Sequence, residues 1–461
     1  MTVCLLLLTG FAAQVSAAEA PTLDDFLASP SLTGVAPSSP SWSPDSQHFA
    51  FTWNDAGLPA RQLWVAEQDG KNLRSLTSEA SGSVAGMAWL PDSSTLITLR
   101  GSELWSTTID AAQDRLLGTV GSGASNLSVS PDGGTVAYLR NGDLWFFDLS
   151  EREAVAVTDI GVPGLSSLPI GRYSRPEREI GPGIWGGPTY SWSPDGKTIA
   201  VHYVDRRDMR KVPFPNYLAE DTEPNEVRRG YPGEANGYRT GGLVDTATRD
   251  LELLDLDEPT ANQVVGFAWS PEGVLLLDLA SDTAEDRRLF ILNSANELRQ
   301  IWHSNRSSRI YTSFAATWHP DGQQVVFLSD INDRYGLFSL DPDATDPAPT
   351  LMTDADYDVL SAPTVVTSAK QIFYEANGVS PYERDVYRLD ASDGAISRVT
   401  RLPGQKNAYP SPDGKHLATL HSDDASPPEL YVASIDGGEA MRITRSPLPE
   451  FEEHQWARAS Y

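Results

Sequence analysis

The chain has 461 residues, of which 40% are apolar and 9% aromatic, a globular composition in which 33 prolines and 36 glycines mark turns and not disorder. Asp and Glu outnumber Lys and Arg by 63 to 35, and the net charge of −28 repels phosphate backbones and anionic lipid heads, which argues against nucleic acid as a partner. The single cysteine, Cys4, lies in the first segment, so the chain beyond it holds neither disulfide nor thiolate nucleophile.

Residues 1–20, "MTVCLLLLTGFAAQVSAAEA", combine an apolar run from Val3 to Leu8 with small residues at Ser16, Ala17 and Ala18. This is the pattern of a secretion signal cleaved after Ala18 or Ala20, although no Lys or Arg precedes the run, and it places the chain in the periplasm or outside the cell. The run is too short to span a membrane. Residues 21–35 form a lead-in where "PTLDDFLAS" predicts a short amphipathic helix, capped by Thr22, with Leu23, Phe26 and Leu27 on one face.

From there a phrase repeats: "SWSPDSQHFAF" at Ser41, "AWLPDSSTLIT" at Ala88, "SVSPDGGTVAY" at Ser128, "SWSPDGKTIAV" at Ser191, "AWSPEGVLLLD" at Ala268, "TWHPDGQQVVF" at Thr317 and "YPSPDGKHLAT" at Tyr409. The long gap between Pro320 and Pro412 has room for a degenerate eighth copy at "TVVTSAKQIFYEA" from Thr364. In each phrase an apolar residue ends a strand, Pro sets φ for the turn, Asp bonds back to the turn amides and Gly takes the positive-φ position before the next strand begins. A further strand follows each phrase, as in "QLWVA" at Gln62, "DLWFFD" at Asp143, "LELLDL" at Leu251 and "ELYVA" at Glu429. Such units of three or four strands predict an all-β fold, an eight-bladed β-propeller over residues 36–446, with the strand Trp and Phe residues as inter-blade core.

Two spacings are long, Pro131 to Pro194 and Pro194 to Pro271, so insertions flank the fourth blade. Function concentrates in such loops because the blades only position them. The first holds "GRYSRPEREIGPGIWGG", residues 171–187, whose Glu177 and Glu179 read on their own as a charge cluster neutralised by Arg175 and Arg178. The second, residues 204–237, gathers Arg206, Arg207, Arg210, Lys211, Arg228 and Arg229 with Phe214, Tyr217, Tyr231 and stiffening prolines, the composition of an extended interface arm.

Other chemistry finds little support. The seven histidines show no pair at metal-ligand spacing, "SDTAEDR" at Ser281 and "SDINDR" at Ser329 lack an ordered calcium series and read as turn-capping aspartates paired with Arg287 and Arg334, and no phosphate or dinucleotide loop is present. No catalytic residue, metal or cofactor is therefore assigned.

Eight such phrases, with "VPFPNY" at Val212 to Tyr217 and "YPGEAN" at Tyr231 to Asn236 inside the fourth unit, resemble the N-terminal propeller of the dipeptidyl peptidase IV family of prolyl oligopeptidase-type serine peptidases. The resemblance implies a propeller that gates peptide substrates to a C-terminal α/β-hydrolase domain, with residues 447–461 leading toward it. It also implies a fourth-blade arm, here with Arg206, Arg207, Phe214, Tyr217 and Tyr231, that helps build a homodimer. The family holds the substrate's amino terminus with adjacent glutamates, a role that falls here on Glu177 and Glu179 beside Arg175, although Arg178 separates the pair. No G-x-S-x-G occurs, so the catalytic half is expected outside these residues. Two alternatives stay open: a stand-alone TolB-like propeller binding proteins or peptides, and a propeller enzyme that uses its own loops.

Overall fold

The computed structural model describes residues 20–111, 113–161, 176–182, 188–215, 217, 224–228, 230–231, 233–234, 237–256, 263–281, 283–293, 297–308, 315–354 and 356–459. The candidate signal before Ala20, Arg175 and the side chain of Phe214 lie outside that set.

Among the described residues the strands form eight antiparallel blades, each built from consecutive chain. Blade 1 runs from strand Val35–Trp42 to Arg74–Ser75, blade 2 from Val84–Trp89 to Asp114–Thr119 and blade 3 from Ser125–Val129 to Glu153–Ala156. Blade 4 runs from Arg178–Ile180 to Leu251–Leu253, and blade 5 from Gln263–Trp269 to Leu298–Asn305. Blades 6, 7 and 8 begin at Ala316–Trp318, Thr364–Val366 and Gln405–Pro410 and end at Thr350–Leu351, Ile396–Arg398 and Met441–Arg442. The expected all-β propeller is what forms. The lead-in helix is Leu23–Leu27, with a capping box between Thr22 and Asp25, and no described helix is long and apolar enough to cross a membrane.

The repeated phrase is the turn from the first strand of each blade to the second. Gly133 and Gly196 adopt φ of 78° and 70° there, and a Cβ on Gly133 would also press to 2.9 Å from Pro91 Cδ of the preceding blade's turn. The serine before the proline, to which the sequence reading assigned no role, closes the turn. Ser193 Oγ donates to Asp195 Oδ1 at 2.7 Å and accepts the Thr198 amide at 3.0 Å, and Ser43, Ser130 and Ser411 repeat the pattern. In blade 7 the phrase is replaced by a 3₁₀ turn, Thr367–Ala369, and Lys370 takes the left-handed position at φ 52°.

The phrase tryptophan joins blades. Nε1 of Trp89, Trp269 and Trp318 donates to the backbone oxygens of Ser41, Ser191 and Ala268 in the preceding blade at 3.1, 3.1 and 3.2 Å. Between blades 8 and 1, where the ring closes without a shared strand, Trp42 Nε1 donates to Tyr409 O at 2.8 Å and the Asp413 amide to Ser46 Oγ at 3.0 Å. Beneath them Trp42, Phe49, Phe51 and Trp53 pack on Ala418, Leu430 and Val432.

Three readings change. "LELLDL" is the outer strand of blade 4, because the second insertion pushes the third strand on to Tyr238–Asp245, whose Gly241 and Gly242 hide the usual aromatic pattern. Among the described residues Arg287 pairs with Asp278 on the neighbouring strand and Arg334 with Asp358, neither of which belongs to the turn phrase of its arginine. The insertions also sit within blade 4 itself, one opening its first strand and one between its second and third.

Candidate functional site

The first strand of blade 4 is split. Arg178–Ile180 and Tyr190–Trp192 both pair with Thr198–Asp205, with Ile180 opposite Tyr203 and Tyr190 opposite Val201. On the partner strand only His202 separates Tyr203 from Val201, whereas nine residues of sequence separate Ile180 from Tyr190. Blades 1, 2, 3 and 5 show register shifts of their first strands at matching places, between Ser38 and Ser41, Val84 and Gly86, Ser125 and Ser128, and Val264 and Gly266. In blade 4 the pairing is interrupted at the matching place, opposite His202, where other blades carry the irregularities that re-aim a strand.

His202 staples the two ends of this loop. Its backbone oxygen accepts the Gly181 amide at 3.0 Å, its amide donates to Thr189 O at 2.9 Å, and its Nδ1 lies 3.0 Å from Gly181 O. The ring is fully buried, and burial pushes its pKa from 6.5 down to about 4. The neutral ring therefore carries its proton on Nδ1 and donates it to Gly181 O.

The strand held this way presents the two glutamates. Glu179 points inward and is 7% exposed; its Oε1 accepts from Arg206 Nη2 at 2.6 Å, and Arg206 Nη1 donates to Pro176 O at 2.9 Å. Glu177 Oε1 accepts from Arg228 Nε and Nη2 at 2.9 and 2.8 Å, while Arg228 Nη1 reaches Met209 O at 2.8 Å. The Glu177 side chain is 33% exposed, and among the described residues its Oε2 accepts no hydrogen bond. The sequence reading set Arg175 and Arg178 against these glutamates; the ion pairs among the described residues are instead with Arg206 and Arg228, and Arg175 lies outside the described residues.

The second insertion starts from this base. Lys211–Pro215 pairs with Pro224–Arg228 in a two-stranded sheet of its own, Lys211 opposite Arg228 and Pro215 opposite Pro224. The prolines withhold amide donors from this small sheet, which suits an unextended hairpin. At its root Arg207 forks onto Asp205, with Nη2 to Oδ2 at 2.6 Å; burial acts against that carboxylate, but the Arg207 hydrogen bonds win and hold its pKa below the usual range. Arg210 pairs with Glu234 at 2.7 Å and stands 5.2 Å over the Tyr231 ring. Tyr217 and Tyr231 are 82% and 46% exposed. Arg206, read from sequence as part of the arm surface, is buried at its base. Long-range pairing of this kind has no local sequence signal, and neither does the role of His202, which reads as one more strand residue.

A family model described as the dipeptidyl peptidase IV N-terminal region matches residues 106–428, more than half of the chain. Among curated proteins the chain is similar to a probable dipeptidyl-aminopeptidase B of Penicillium rubens, 21% identical over 309 residues that make up 60% of this chain and 33% of the relative. The dipeptidyl-aminopeptidase B of Aspergillus niger is 22% identical over 299 residues, 59% of this chain and 32% of the relative. The chain thus spans about a third of the length of these relatives. Among solved structures it is similar in fold to Porphyromonas gingivalis dipeptidyl peptidase 4, with a TM-score of 0.71 at 15% identity over 91% of this chain and 60% of the other. A putative dipeptidyl aminopeptidase IV from Bacteroides ovatus gives 0.70 at 14% identity over 95% and 64%.

Proposed function

The chain belongs to the dipeptidyl peptidase IV N-terminal-region family, and from that premise we propose that it is the substrate-gating propeller of an exported dipeptidyl-peptidase-like serine peptidase, working with a C-terminal α/β-hydrolase domain on peptides. The observation that carries this reading is the interrupted first strand of blade 4, which holds Glu177, partly exposed, two positions from the buried Glu179. Glu177, with an accessible oxygen, holds the peptide's amino terminus by a charge-assisted hydrogen bond, and Glu179, locked by Arg206, keeps the strand in place.

Incubated alone with Gly-Pro and Ala-Pro chromogenic substrates, the purified chain should match buffer, since it carries no G-x-S-x-G nucleophile. In the full-length gene product the same substrates are cleaved and acetylation of their amino terminus abolishes cleavage. There Glu177→Gln raises KM by about tenfold. Turnover by this chain alone that a serine-directed fluorophosphonate abolishes would overturn the reading.

The hairpin arm serves self-association in this proposal, through Tyr217, Tyr231 and the surrounding arginines. Replacing residues 207–234 with a short Gly-Ser linker spares every strand of the blade 4 sheet, so the propeller remains folded. Light scattering should give the full-length protein the mass of a dimer and the deletion that of a monomer. Equal masses would end the dimer-arm idea.

A further inference from the structure

The arginines of the blade 4 cluster described above each meet a carboxylate. Arg61, in blade 1, meets none among the described residues. Its Nη1 donates to Ala36 O at 2.7 Å and its amide to Ser83 Oγ at 3.0 Å. A guanidinium has five donors, and the rest of this fork opens on a cavity of about 720 Å³. Ser38, Ser39, Thr52, Ser83 and Asn126 help line that cavity, and among the described residues no Asp or Glu does, in a chain whose net charge is −28.

The cavity sits where the first strands of blades 1 to 3 carry their register shifts, and Ser39 holds a left-handed backbone there at φ 53°. Such a conformation costs on the order of 1–3 kcal/mol and concentrates at ligand sites. Asn126 Nδ2 reaches Thr189 Oγ1 at 3.1 Å, which ties the cavity to the far end of the blade 4 loop. Burial alone pulls the Arg61 guanidinium below its ordinary pKa, with no acidic neighbour opposing it.

We propose that this cavity is a carboxylate subsite, in which the Arg61 fork pairs with a carboxylate of a peptide, its C-terminus or an acidic side chain, while the serine and threonine hydroxyls bond its remaining oxygen lone pairs. A planar fork matches a carboxylate in two parallel hydrogen bonds. The choice of a peptide as ligand rests on the function proposed above.

The test is calorimetric binding of Ala-Pro-Gly-Gln to the purified chain, compared with its C-terminal amide, with Ala-Pro-Gly-Glu amide, and with N-acetyl-Ala-Pro-Gly-Gln. At least one of Ala-Pro-Gly-Gln and Ala-Pro-Gly-Glu amide should bind about tenfold tighter than Ala-Pro-Gly-Gln amide, which has no carboxylate, and the first two distinguish terminus from side chain. Arg61→Gln should erase that preference, Arg61→Lys should restore part of it, and Ser39→Asp should erase it without touching any contact of Arg61. Equal binding of acid and amide, a preference that survives Arg61→Gln or Ser39→Asp, or no binding of any of these peptides overturns the subsite. Loss of preference for the free over the acetylated amino terminus, with the carboxylate preference intact, would count against the role of Glu177 and not against Arg61.

Discussion

Replacing Asp278 with alanine is expected to destabilise the propeller by about 3–5 kcal/mol, the cost of breaking a buried ion pair by removing one member. Asp278 and Arg287 are 1% and 2% exposed. They meet in a fork, Nε to Oδ1 at 2.9 Å and Nη2 to Oδ2 at 2.7 Å. The third arm of the guanidinium donates to Leu328 O of blade 6 at 2.6 Å, and its carbon stands 5.9 and 5.7 Å from the rings of Trp302 and Phe327. In the intact fold both groups are shut off from solvent, so little hydration offsets the loss of the carboxylate. The paired change Asp278→Leu with Arg287→Met removes both charges and should recover most of the stability. Urea denaturation followed by tryptophan fluorescence reads both. A midpoint for Asp278→Ala equivalent to less than about 1 kcal/mol of loss would mean that the pair is not isolated from solvent.

Acid is expected to weaken the fold through His202. The folded ring has a pKa of about 4 against an ordinary 6.5, because burial disfavours its charged form and Arg239 and Arg206 add repulsion. The unfolded chain therefore takes up the proton first. The stability linked to this residue is complete above the ordinary value, is lost progressively as the pH falls from 6.5 toward about 4, and changes no further below. The gap is worth on the order of 3 kcal/mol. His202→Gln keeps a donor for Gly181 O and removes the titration. Thermal unfolding of both proteins from about pH 7 to pH 4.5 should show the steeper decline in the wild type. Carboxylates such as Asp205, held low by its arginine, weaken both proteins alike and cancel in the comparison. Parallel curves would show that the ring is solvated in the fold.

What could be seen in the sequence was what repeats. Pro, Asp and Gly in the turn phrase, and the alternation after it, follow local rules, and even the degenerate blade at Thr364 shows through because strands on either side keep their period. The serine of the phrase went unassigned because Asp and Gly already explain a turn. Serines at Ser46 and Ser93 look like imperfect glycines, yet each accepts an amide from a neighbouring turn, Asp413 N at 3.0 Å and Asp45 N at 3.1 Å. At the site, Glu177 and Glu179 were visible as residues and their partners were not. Arg206 and Arg228 lie 27 and 51 positions away from the carboxylates they hold, and no periodicity encodes such a meeting. The Arg61 cavity was invisible for the same reason, since it assembles from three blades.

Closure of the ring between blade 8 and blade 1 with no strand exchanged has a consequence for synthesis. Each blade completes itself from contiguous chain, so sheets can form one after another as the polypeptide emerges. Trp42, Phe49, Phe51 and Trp53, however, share their cluster with Ala418, Leu430, Val432 and Ile443 of blade 8 as well as with Ala66 of their own blade, and the blade 8 side arrives nearly 400 residues later. For the whole interval of translation, and of translocation if the chain is exported, the first blade carries an uncovered aromatic flank. A holdase that shields this flank until the last blade arrives is what such a delay calls for, and a slower supply of it should appear first as aggregates nucleated by blade 1.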